Sequence, residues 1–198
     1  MTQIAISIQN EADYPADPAR LRAAAQAVLA HQQITVGALT IVIADDAAVA
    51  ALNQQFRGID APTDVLSFPA DAPPVPLPDE PPYLGDLVIA HPYTAAQAAA
   101  AGHDLHESLA LLVVHGTLHL LGYDHGDDAQ RAAMWAAQAA ILRVLHIDPA
   151  IVPDLELDDS AAEDSDTAAG GAALPESLER SVNRSRQSAN GSGGAHDH

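Results

Sequence analysis

The sequence predicts an α+β fold: one small mixed β-sheet packed with helices, followed by a disordered acidic tail. Short β-branched or alternating runs, at residues 3–8, 38–44 and 84–90, are interleaved with longer helical patterns. A length of 198 residues suits one domain with an appendage. Composition changes near Asp154, where an acidic stretch poor in aromatics begins and gives way to Ala, Gly and Ser. Such a stretch buries too little apolar surface to offset its chain entropy. The expected division is a domain over residues 1–153 and a disordered tail over 154–198.

The elements follow in order. Residues 3–8 alternate and read as an edge strand. Residues 17–31 read as a helix, with Pro18 in its first turn and an alanine-rich body. Residues 38–44 are a β-branched run, hence a strand. Asp45 is an N-cap for a helix reaching about Phe56. Residues 65–68 form a short strand after the turn Pro62-Thr63-Asp64. The proline-rich stretch 69–82 reads as a rigid spacer, and residues 84–90 as another strand. Helices are expected at 92–101, 105–121 and 127–146. The last is long and amphipathic, with Trp135 and Ile141 on its buried side.

Charge narrows the function. The formal net charge is -19, and all eight basic residues are arginine. Up to Pro153 there are 17 acidic residues against five arginines; beyond it there are ten against three. Any nucleic-acid contact must rely on a few local arginines, a metal and backbone donors. There is no cysteine, so disulfides and thiolate metal sites are excluded. No N-terminal basic-then-apolar segment appears, and no apolar run approaches ~18 residues. A cytoplasmic protein without membrane contact is the expectation.

Three histidines carry the chemistry. His115 and His119 are four residues apart in an apolar stretch running to Leu121. On a helix that offset stacks two side chains on one face. Gly122 ends the helix, because a left-handed residue costs glycine nothing. The chain then turns and brings His125 to the first two. Three neutral imidazoles with an open position describe a catalytic zinc site; a structural site is closed by a fourth protein ligand. Metzincin proteases share this spacing but carry a glutamate base after the first histidine. Here that position is Gly116, so the usual zincin route lacks its proton acceptor.

The run His115-Gly116-Thr117-Leu118-His119-Leu120-Leu121-Gly122-Tyr123-Asp124-His125 resembles the signature of the bacterial YbeY family. So do the blocks Leu52-Asn53-Gln54-Gln55-Phe56-Arg57, Asp60 through Pro69, and Leu84-Gly85-Asp86-Leu87-Val88-Ile89, in the family's order. The resemblance covers about residues 1 to 150. It implies a zinc-dependent, single-strand-specific endoribonuclease of 16S rRNA 3′-end maturation and ribosome quality control. Its expected metal is one Zn2+ on His115, His119 and His125. Its expected partners are single-stranded rRNA and the small ribosomal subunit with its proteins, and the expected state is a monomer. Arg57 matches the family's functionally important arginine, with the role of binding phosphate or stabilising developing negative charge. Zinc-lowered water and the RNA's own 2′-hydroxyl are both open as the nucleophile.

Other polar residues read as local structure or stay open. Asp124 either accepts a hydrogen bond from a ligand imidazole or caps its loop. Asp64 caps the turn before Val65. His103 and His106 read as helix-start residues, about two turns from His115. His91 is a further helix-start histidine. His31 and His146 read as helix-end residues that favour the dipole. Two rival functions remain: a metzincin-like zinc peptidase or amidase, and a non-enzymatic assembly factor stapled by zinc.

Overall fold

The structure is a computed structural model that describes residues 3–70 and 81–154. The tail from residue 155, expected to be disordered, lies outside the described residues, as do positions 71–80 of the proline-rich spacer. The elements are β1 (Gln3–Gln9), α1 (Pro18–His31), β2 (Val36–Ala44), α2 (Asp46–Arg57), β3 (Val65–Pro69), β4 (Tyr83–Ala90), α3 (His91–Ala101), α4 (Leu105–Leu120) and α5 (Asp128–Val144). A 3-10 helix, Pro149–Asp154, which the sequence pattern does not suggest, follows α5. The four strands form one mixed sheet in the order β1-β2-β4-β3. β1 and β2 are parallel, as are β2 and β4, while β3 runs antiparallel to β4.

Aspartates start most of the helices. Asp17 accepts the Ala19 amide at 2.9 Å, and Asp45 accepts that of Ala48 at 2.7 Å. Asp104 and Asp127 do the same for Glu107 and Gln130. Each satisfies a donor left over in the first helical turn. α3 begins directly at the end of β4 without such a cap. Instead Asp46, in the first turn of α2, accepts the Tyr93 amide at 2.9 Å.

Strand parity sorts the sheet into two faces. Leu39, Ile41, Ile43, Leu87, Ile89 and Val65 join α1, α4 and α5 in the main core. Val42, Val88 and Leu66 alternate with them, occupy paired positions on neighbouring strands and are also buried. They lie on the face where α2 contributes buried Val49 and Leu52. α4 is buried almost all round, with every residue from Leu109 to Leu118 buried. A helix hydrophobic on every side belongs in the middle of a core, and α4 packs on α1, α3, α5, β3 and β4.

Gly116 marks the closest approach of α4 to the sheet. A Cβ there would sit 2.8 Å from Leu87 Cδ2 and 3.0 Å from Ser67 Oγ. The same contact lets Ser67 donate to the Gly116 carbonyl at 3.4 Å. A side chain at this position would have to push aside the ends of the Leu87 and Ser67 side chains.

α5 departs from expectation in two details. Ile141 is buried, but Trp135 is only half-buried. The buried side is Met134, Ala137, Gln138, Ile141 and Leu142. Those positions recur every three or four residues, and Trp135 stands at the edge of that stripe, about 90° from its centre. Its ring carries the Arg131 guanidinium at 5.8 Å. His146 also lies past the end of α5, with φ 59, rather than in its last turn. Among the described residues no helix is long and apolar enough to cross a membrane.

Candidate metal centre

α4 delivers two of the three histidines. His115 and His119 project from one face, one turn apart, with their Nε2 atoms 3.0 Å from each other. The helix then closes in a Schellman turn. The Tyr123 amide donates to the Leu118 carbonyl at 3.1 Å, and that of Gly122 to the His119 carbonyl at 2.9 Å. Gly122 has φ 84, the left-handed conformation this turn requires. The reversal brings His125 back over the helix end. Its ring centroid is 5.0 Å from that of His119 and 5.9 Å from that of His115. One ligating atom from each histidine lies within 4.8 Å of the others.

Hydrogen bonds on the far side of the rings set their orientation. His119 Nδ1 is 3.0 Å from the Tyr123 carbonyl oxygen. A carbonyl only accepts, so Nδ1 carries the proton and the neutral ring turns its Nε2 lone pair toward the cluster. His115 Nδ1 meets Gln138 Oε1 at 3.0 Å, which selects the same tautomer. Two Nε2 lone pairs facing one point suit a shared cation, and three imidazoles are a donor set that fits zinc. His125 is held through its main chain. The Asp124 carboxylate accepts its amide at 2.8 Å, and Arg131 donates to its carbonyl at 3.2 Å.

The cluster opens into a cavity of about 390 Å³. Arg57, Asp64, Ser67, Tyr123 and Asp124 share its wall with the three histidines. Arg57 is the last residue of α2, where Gly58 in the left-handed conformation stops the helix. It is exposed, and no carboxylate among the described residues pairs with it. The structure therefore brings together all four residues singled out from the sequence.

The remaining polar residues sort by their contacts. Asp124 takes the loop-capping role, while Nδ1 of His115 meets Gln138 and Nδ1 of His119 meets the Tyr123 carbonyl. Asp64 caps its own turn through the Val65 amide at 2.7 Å, yet it is buried and reaches the cavity wall. His103 lines a separate space of about 30 Å³ that also touches Asp64. His91 is buried, stacked on Tyr14 and bonded to the Pro15 carbonyl. Sequence reasoning missed Gln138 and Arg131. The signal for Gln138 was an amide on an otherwise apolar helix face.

Fold and site define a class: an α+β domain with a three-histidine cluster at the end of its central helix and an arginine lining the same cavity. The family model for endoribonuclease YbeY matches residues 7–146. The chain is 42% identical over 149 residues to the endoribonuclease YbeY of Gloeobacter violaceus, covering 74% of this chain and 77% of that one. It is 47% identical over 137 residues to that of a Roseiflexus species, covering 65% and 84%. A solution structure from Thermotoga maritima aligns with a TM-score of 0.50 at 24% identity, over 85% of this chain and all of that one, a likeness of fold. This chain belongs to the endoribonuclease YbeY family.

Proposed function

We propose that the protein is a zinc-dependent, single-strand-specific endoribonuclease acting in 16S rRNA 3′-end maturation and ribosome quality control. In this reading it works as a cytoplasmic monomer on the small ribosomal subunit. Residues 1–153 are the catalytic domain, and 154–198 are an appended tail. The observation that carries the reading is the shared cavity: Arg57, with no carboxylate partner among the described residues, lines it together with three histidines, two of which, His115 and His119, have Nδ1 held by an acceptor. His115, His119 and His125 would hold the zinc, and Arg57 would hold a phosphate. When bound, zinc polarises a phosphoryl oxygen and lowers the pKa of a water toward ~7. The guanidinium offers a planar, permanently charged fork that matches phosphate geometry. Family membership weighs against the peptidase reading, and Gly116 offers no base directly after His115.

The test is direct. Purified protein should contain about one zinc per chain. It should cut single-stranded RNA and leave casein untouched, and chelation should abolish the cutting. His119→Ala should lose the zinc. Full zinc occupancy in that variant, or RNA cleavage unaffected by metal removal, would overturn the reading.

A further inference from the structure

We propose that Gln138 is a positioning residue for the metal centre: it locks His115 in the ligating tautomer, and it does so without adding charge. The inference rests on the metal reading above. Gln138 lies on the buried stripe of α5 with Met134, Ala137, Ile141 and Leu142, and is 1% exposed. An apolar side chain of the same length suits that stripe better, since burying an amide costs free energy unless it finds a partner. The partner is His115 Nδ1, at 3.0 Å, on a ring that is itself buried. The packing of α5 on α4 therefore fixes both the rotation of the ring and the nitrogen that carries its proton.

The chemistry of the partner matters as much as its place. Histidine ligands are commonly backed by a carboxylate, a carbonyl or water. Here the hydrogen-bond partners at Nδ1 of His115 and His119 are a side-chain amide and a main-chain carbonyl, both neutral. A carboxylate at position 138 would make the His115 ring a stronger donor but would place a negative charge behind the cluster. In a chain of net charge -19, that charge would oppose the approach of a phosphate. A neutral amide orients the ring without adding a further negative charge beside a cavity whose wall already holds Asp64 and Asp124.

The experiment compares wild type, Gln138→Met and Gln138→Glu, all as full-length protein. Two quantities are read: the zinc dissociation constant, by competition with a chromogenic chelator, and inhibition of RNA cleavage by inorganic phosphate. Met keeps the length of the side chain and should weaken zinc about 10- to 100-fold, the usual effect of losing such a partner. Glu should restore zinc affinity to the wild-type value or tighter, and weaken phosphate inhibition by about tenfold through charge repulsion. If Gln138→Met misfolds by circular dichroism, Gln138→Leu takes its place. A folded apolar variant that binds zinc as wild type does makes Gln138 a packing residue and overturns the proposal. Unchanged phosphate inhibition in Gln138→Glu overturns the claim about charge. If wild type binds no zinc and His119→Ala alters nothing, the metal reading itself has failed, and this inference with it.

Discussion

Arg57 is the cation that α2 delivers to the cavity, and its setting decides what it can do. The Gly58 stop leaves it at the helix end, lining the same cavity as the histidines. Three of the other four arginines of the domain are engaged, and the fourth, Arg143, lies on α5 away from the cavity lining. Arg20 pairs with Asp104, Arg22 donates to the Ile6 carbonyl, and Arg131 is held by Asp128 and the His125 carbonyl. Arg57→Ala should therefore keep fold and zinc while losing RNA cleavage about 10²-fold or more, as when one transition-state donor is removed. Arg57→Lys should restore only part, because a point charge lacks the fork. The measurement is cleavage of single-stranded RNA at equal zinc occupancy. A wild-type rate in the alanine variant would make Arg57 a surface charge. At this scale much was legible in the sequence. The offset of His115 and His119 is one helical turn, and the Gly122 stop is a local backbone requirement. Gln138 and Arg131 were not legible as partners, because their contacts depend on how α5 docks.

α4 positions the site because it is clamped, and Gly116 is where the clamp is tightest. Leu87 and Ser67 crowd the space a side chain would need. Gly116→Ala gains up to about 1 kcal/mol in helix propensity but meets an overpacking cost of about 1–3 kcal/mol. The steric term wins, and the variant should melt at a lower temperature than wild type. Gly116→Glu, which writes the protease motif into the sequence, should be far worse, since it forces an unpaired charge against a packed sheet. It should yield little folded protein and no peptidase activity, checked by thermal melts and a casein assay. A stable Gly116→Glu protein would show that α4 can lift from the sheet. The elements themselves were largely readable, because aspartate caps and left-handed glycines are local signals. The sheet order β1-β2-β4-β3 was not: parallel crossovers are closed by packing between distant segments, which leaves no mark in either strand. The edge position of β1 was readable from its alternation, since one of its faces meets solvent.

For the molecule as a whole, charge sets how it can meet RNA. The domain to Pro153 carries five arginines against 17 acidic residues, and just one of those arginines lines the cavity. Single-strand affinity falls with salt at a slope of about -0.7 for each phosphate neutralised. One or two such contacts predict only about a three- to sevenfold loss of affinity between 50 and 200 mM salt. The acidic remainder flattens the slope further, because added salt also screens its repulsion of the RNA backbone. Affinity must then depend on the metal centre more than on a basic surface. Zinc removal should weaken RNA binding more than this whole salt range does. Equilibrium binding of a short single-stranded RNA, titrated with salt with and without chelator, measures both. A loss of 10²-fold or more over that salt range would mean that several further cations reach the backbone. The three arginines beyond Pro153, at positions 180, 184 and 186, would be the first to replace. A shallow slope with strong zinc dependence would place recognition at the cavity shared by Arg57 and the three histidines.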